Sequence, residues 1–293
     1  MKEVLQYRIA DTLTRLVPRS FSYRVSAWVA DFCWRTDHVG RQGVMANLRR
    51  VLEYQGRSCS PEELEQNARR TFRSFAKYLV DFFFFRTLKP EQIDALVTIE
   101  NREYVAQALH AGKGVLMATA HLGNWELGGA VLAGLGYPLH VIALPQKDPR
   151  LDRFFQDHRR RRGMHVIRMG QAARDILGVL RQNQIVALLV DRDYTMHQDQ
   201  TVFFGAPARL PRGPARLAMG TGAAILPGFL LRESGDRYRL RFHEPVFPGP
   251  AWSTEKIQRH LCVLMEEEIG REPFQWYMFR DVWDSRAYGP WSS

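Results

Sequence analysis

Cysteine is scarce. Cys33, Cys59 and Cys262 stand far apart among 293 residues and form no CxxC pair, which excludes a disulfide framework or a zinc knuckle and fits a reducing, cytoplasmic setting. Long apolar runs are also missing. From Val4 to Trp34 the apolar residues are broken by Arg8, Asp11, Arg15, Arg19, Arg24 and Asp31, too often for a segment of about eighteen residues to span a bilayer. No signal peptide is expected, because the N-terminus lacks the basic segment, apolar run and small-residue cleavage site of one. Repeats, low-complexity tracts and long linkers are absent, so one domain over 1–293 is expected. Ser58 and Ser74 have no GxSxG setting and Cys33 has no histidine signal nearby, which leaves serine and cysteine hydrolase chemistry without an anchor. Gly220-Thr221-Gly222 lacks the third glycine and the preceding strand of a dinucleotide loop.

Basic residues are plentiful, 41 Lys and Arg against 31 Asp and Glu, a formal net charge of +10. Such a balance implies an anionic partner: nucleic acid, an acidic carrier protein, a phosphorylated small molecule or an anionic membrane surface. Residues 1–90 read as helical. Leu5, Ile9, Leu13, Leu16 and Val17 recur at helical spacing with Arg8, Arg15 and Arg19 elsewhere on the wheel. This pattern describes either a basic helix lying on a membrane or an amphipathic helix covering a core. Pro18 breaks that helix and Ser20 opens the next, while Ser60-Pro61-Glu62-Glu63 is a capping-box start for a helix through Phe72, Phe75, Ala76 and Leu79. It ends in Phe82-Phe83-Phe84-Phe85, which cannot all face one side; core packing is favoured over an acyl-chain wall, for which Trp125 is a further candidate.

Residues 91–293 change character. Short apolar runs at Val115–Ala118, Leu139–Leu144, His165–Ile167, Ile185–Val190 and Ala224–Leu231 alternate with helical segments, the mark of βαβ units. Tyr238–His243 alternates apolar with polar and is expected as an edge strand, paired to its predecessor through the turn Ser234-Gly235-Asp236, and a charged helix should follow over Thr254–Glu268. The expected fold class is α/β: a mostly parallel central sheet flanked by helices, with a helical, membrane-associating N-terminal region.

Directly after the first of these strands stands His121-Leu122-Gly123-Asn124-Trp125-Glu126. The carboxyl end of a parallel strand is where open α/β sheets bind ligands. A carboxylate five positions on could hold imidazole Nδ1–H while Nε2 removes a proton from a hydroxyl, and the histidine needs no metal to do so. Gly123 and the first amides of the following helix could donate to a developing oxyanion. Asp191 and Asp193 admit a metal reading, but Arg192 lies between them and His197 is a poor extra ligand, so none is expected.

Gly112-Lys113-Gly114-Val115-Leu116 followed by His121-Leu122-Gly123-Asn124-Trp125-Glu126 resembles the lipid A biosynthesis acyltransferases of the lysophospholipid acyltransferase superfamily. Asn47-Leu48, Val190-Asp191-Arg192-Asp193, Val202-Phe203-Phe204-Gly205, Pro211-Arg212-Gly213, Thr221-Gly222-Ala223 with Ile225-Leu226-Pro227, and Pro273-Phe274-Gln275-Trp276 with Arg280 agree with the family in order. The resemblance implies acyl transfer from a thioester, on acyl carrier protein or coenzyme A, to a hydroxyl of a glycolipid such as a lipid A precursor, at the cytoplasmic face of the inner membrane and without a cofactor. His121 would be the base and Glu126 its orienting partner. Glutamate departs from the aspartate common in the superfamily and is similar to the lipid A branch.

Gly163–Arg168 resembles the superfamily's second block, which would put Arg168 near an acceptor phosphate, a group that guanidinium can grip with two bonds. Arg159 to Arg162, with Arg150 and Arg153, either meet a phosphorylated headgroup or acidic carrier or form a solvated basic face. Asp191, Arg192 and Asp193 would shape the acceptor pocket. Asp191-Arg192-Asp193-Tyr194-Thr195 and Pro207-Ala208-Arg209-Leu210-Pro211 are also similar to the phosphatidylinositol mannoside acyltransferases, the nearest alternative. A non-catalytic basic protein binding membrane or nucleic acid is the other. Nucleic acid is not expected, since the aromatics sit in apolar helices instead of alternating with basic residues.

Overall fold

The computed structural model describes residues 2–85, 89–169, 172–193 and 200–284; the side chains of Leu5 and Arg15 and the whole of Tyr194, Thr195 and His197 fall outside it. The chain opens with helices α1 (Lys2–Leu16), α2 (Arg19–Thr36), α3 (His38–Tyr54) and α4 (Pro61–Phe84). Pro18 separates the first two, but it is itself the cap of α2, and Ser20 makes no capping bond. The capping box at α4 forms in full: Glu63 N donates to Ser60 Oγ at 3.2 Å and Ser60 N to Glu63 Oε2 at 2.9 Å. Trp34, Leu48, Leu52, Ala68 and Phe72 give α2, α3 and α4 a common apolar core.

Then come α5 (Pro90–Leu96), β1 (Val97–Glu100), α6 (Glu103–His110), β2 (Val115–Thr119), α7 (Trp125–Gly134), β3 (Leu139–Ala143), α8 (Pro149–Arg161), β4 (His165–Arg168), α9 (Ala172–Arg181) and β5 (Ile185–Leu189). A hairpin of β6 (Thr201–Phe203) and β7 (Ala206–Ala208), α10 (Gly213–Thr221), β8 (Ala224–Arg232), β9 (Tyr238–Phe242) and α11 (Thr254–Arg271) complete it. Among the described residues seven strands form one sheet in the order β1-β9-β8-β2-β5-β3-β4, every neighbouring pair parallel except β8 with β9. The α/β, mostly parallel expectation is met. The strand at 238–242 pairs antiparallel with its predecessor as expected, yet it is not an edge. β1 covers it, with Val97 opposite Tyr238 and Glu100 opposite Arg241. Four residues following a helix are too few to show a period of their own.

Both faces of the sheet are covered, which is why its strands read as unbroken apolar runs. Val115 and Met117 of β2 point into one core with α7, Leu116 and Ala118 into the other with α10 and α11. Phe82 and Phe83 are buried against Phe154, Phe155 and His158, in keeping with core packing, while Phe84 is exposed. One buried carboxylate ties α4 to the sheet. Asp81 accepts from Arg19 Nε at 2.9 Å and Tyr23 Oη at 2.6 Å on α2, and from Arg232 of β8 and Tyr238 of β9. Burial and the charge of Asp81 push both tyrosine hydroxyls well above their ordinary pKa, so they remain donors. Asp81→Ala would leave Arg232 buried without its carboxylate, a cost of about 3–5 kcal/mol. Denaturant unfolding of that variant should show the loss; a stability equal to wild type would mean that Asp81 contributes no net tie.

Candidate active site

The last pair in the β2–β5 ladder is Thr119 with Leu189, and Val190 N still donates to Thr119 O at 2.8 Å beyond it. Two residues further on, the same register puts His121 beside Asp191. His121 Nδ1 lies 2.9 Å from Asp191 Oδ1, and the His121 amide donates to Oδ2 at 2.8 Å. Trp276 Nε1 donates to the same Oδ2 at 3.0 Å. Burial alone would raise the pKa of this fully enclosed carboxyl, but the His121 ring and these hydrogen bonds outweigh it and hold Asp191 below the usual carboxylate range. An ionised carboxylate only accepts, so Nδ1 carries the proton, and Nε2 of the neutral ring keeps a lone pair for a substrate.

Glu126 does not hold Nδ1, contrary to what the spacing implies. The four residues between them cross a turn and enter α7, whose first turn aims Glu126 at α8. There Arg159 grips it with Nη2 at 2.5 Å from Oε1 and Nε at 2.9 and 3.2 Å from the two oxygens. Burial would lower the Arg159 pKa, but Glu126 raises it, so the pair is ionic. Gly123 also departs from its expected role: its amide donates to Gln275 O at 2.8 Å and is not free for an oxyanion. Asn124 caps α7, its Oδ1 accepting from Leu127 N at 3.0 Å.

His121, Glu126 and Arg159 nonetheless meet on one cavity of about 400 Å³. Trp125, Arg192 and Asp193 line it too, whereas Asn124 and Asp191 do not. The indole of Trp125 packs edge-on against His121 at 5.2 Å and stacks on Tyr78 at 4.4 Å. Deeper in, the wall is apolar, formed by Met117, Leu132, Leu139, Met164, Leu230 and Phe242, and residues 82–85 do not line it. Arg168 is not brought to the site: it stands exposed on β4 with Asp152 at 3.3 Å. The arginine run divides. Arg159 faces inward, Arg162 donates to the carbonyls of Phe82 and Phe85, and Arg160 pairs with Asp157 on the surface. Tyr78 carries no chemical pattern in the sequence that singles it out, and Trp276, although part of the family-like segment Pro273–Trp276, shows its bond to Asp191 only through its position in the fold.

Residues 5–285 match the family described as bacterial lipid A biosynthesis acyltransferase. The phosphatidylinositol mannoside acyltransferase of Mycolicibacterium smegmatis is 27% identical over 283 residues, 95% of this chain and 90% of its own length. The lipid A biosynthesis palmitoleoyltransferase of Escherichia coli is 24% identical over 269 residues, 91% of this chain and 84% of its own. The crystal structure of a 1-acyl-sn-glycerophosphate acyltransferase from Thermotoga maritima aligns at a TM-score of 0.42 and 13% identity, covering 88% of this chain and 99% of that one.

The turn that carries the histidine depends on Gly123, whose φ is +61° and whose hypothetical Cβ would lie 1.9 Å from Leu230 O. Gly123→Ala should therefore displace His121 from Asp191, lowering the melting temperature and abolishing acyl transfer. A variant with unchanged melting and turnover would show that the turn tolerates a side chain.

Proposed function

Because this chain belongs to the bacterial lipid A biosynthesis acyltransferase family and is an O-acyltransferase, we propose that His121, oriented by Asp191, is the general base that activates a glycolipid hydroxyl for attack on an acyl thioester. The observation that carries this is the His121–Asp191 bond at the mouth of an apolar cavity. Nε2 takes the hydroxyl proton as the oxygen attacks the thioester carbonyl. The C–S bond then breaks, and the imidazolium returns the proton to the departing thiolate. Amides of the first turn of α7, at Trp125 and Glu126, are suited to the oxyanion, since a helix start leaves its N–H groups without intrahelical partners. The apolar depth suits the fatty chain. Glu126 and Arg159, locked together, form the polar wall beside the base, and Arg192 and Asp193 face the acceptor.

The donor is read as acyl carrier protein or coenzyme A thioester and the acceptor as a sugar lipid. A lipid A precursor and a phosphatidylinositol mannoside both fit, the second supported by the mannoside relatives at 27–29% identity. His121→Ala should lower turnover on the order of 10²–10⁴-fold with the fold retained by circular dichroism. Wild-type turnover in that variant would remove the base.

The site is expected to work at the cytoplasmic face of the inner membrane, and the first two helices support placement on a membrane surface. On α2, Phe21, Val25, Trp28, Val29 and Phe32 fall within roughly 100° of arc and are exposed, Trp28 by 82%. On α1, Ile9, Leu13 and Leu16 are exposed while Asp11 and Thr14 are buried, the reverse of a helix that covers a core. Among the described residues no helix is long and apolar enough to cross a membrane. An outward apolar stripe flanked by Arg8, Arg24 and Arg35 suits the surface of an anionic bilayer. The double variant Trp28→Glu, Phe32→Glu should stay in the supernatant when sedimented with anionic liposomes, yet still acylate a detergent-dispersed acceptor. Co-sedimentation like wild type would exclude the stripe as the docking face.

A further inference from the structure

The segment after α11 crosses behind the site without its indole entering the cavity. Through a 3₁₀ turn at Pro273–Gln275 the chain runs antiparallel to the histidine turn, with Leu122 and Trp276 bridged. Gln275 O accepts from Gly123 N, and Tyr277 N donates to His121 O, both at 2.8 Å. Trp276, 3% exposed, adds its indole N–H to Asp191. The far end of this segment is held by α3. Asn47, 2% exposed, donates from Nδ2 to Met278 O and Arg280 O, both at 2.8 Å, and accepts from Val282 N at 3.0 Å. One turn earlier Gly43 lets the backbone pass: a Cβ there would come within 2.8 Å of Arg280 Cα and Phe279 O.

We propose that residues 275–283 are a strap that positions the catalytic base, with Trp276 as the positioning residue for Asp191 and Asn47 as the fastening that keeps the strap in place. The proposal rests on the reading of His121 as the base. Its physics is that of an oriented carboxylate. With one oxygen saturated by an indole N–H and the His121 amide, the carboxylate plane cannot rotate, and the other oxygen is left facing Nδ1. The N-terminal signature at Asn47 thereby gains a physical reason. Asn47 commits nearly all its hydrogen-bonding capacity to one stretch of backbone, and that stretch holds the base.

The decisive variant is Trp276→Phe, which keeps a ring among Phe203, Phe204 and Trp283 and removes the donor. Turnover should fall about ten-fold, the usual effect of deleting a hydrogen bond to a charged group. The acid limb of the pH profile of kcat/KM should move upward, because carboxylate charge no longer shared with the indole is presented to the imidazole. Glu126, Arg159, Arg192 and Asp193, which line the same cavity, are unchanged in this variant, so the displacement would not be theirs. Asn47→Ala, remote from the cavity, should move the limb in the same direction by less. A Trp276→Phe enzyme with wild-type turnover and an unmoved limb, measured beside an inactive His121→Ala, overturns the strap and leaves the base intact. Activity in His121→Ala would instead overturn the base.

Discussion

The arrangement depends on one pairing register. Because β2 and β5 run parallel with Thr119 opposite Leu189, the two residues that follow them come to the same height, and a buried aspartate meets a histidine there without any long side chain having to reach. A one-residue slip of either strand would turn that strand's side chain to the opposite face of the sheet and part the pair. The register is in turn protected by the two apolar cores, which accept Leu116 and Val186 on one side and Val115, Met117 and Ile185 on the other.

Several arginines have an internal use. Arg19 and Arg232 converge on Asp81, Arg159 on Glu126, and Arg162 on the carbonyls that end α4. Arg19 and Arg232 join α2 and α4 to the sheet, Arg159 joins α8 to α7 and Arg162 joins the end of α8 to α4, so these guanidiniums act as fasteners between elements. The planar fork of arginine suits such multi-partner burial better than an ammonium would.

Sheet strands, the α4 capping box and the histidine at a strand end were legible in the sequence because each is a local pattern: an apolar run, a serine with a glutamate three residues on, a polar residue after a strand. The partner of His121 was not. Asp191 is seventy residues away, and only strand pairing brings it close; the nearer Glu126 was the natural guess, but its direction is set by the first turn of α7 and by Arg159. β1 was missed because it is four residues long, and Arg168, expected near an acceptor phosphate, stands exposed beside Asp152, since similarity of a segment does not fix which way a guanidinium points.

The tie at Asp81 has a geometric result. Arg19 and Tyr23 belong to the very helix that carries the outward apolar stripe, and they are bonded through Asp81 to β8 and β9. If that stripe rests on lipid as proposed, the height of the imidazole above the bilayer would be set by a rigid lever and not by a hinge. A headgroup anchored in the same bilayer would then present its alcohols at fixed altitudes, and regiochemistry would become a question of which one stands level with Nε2.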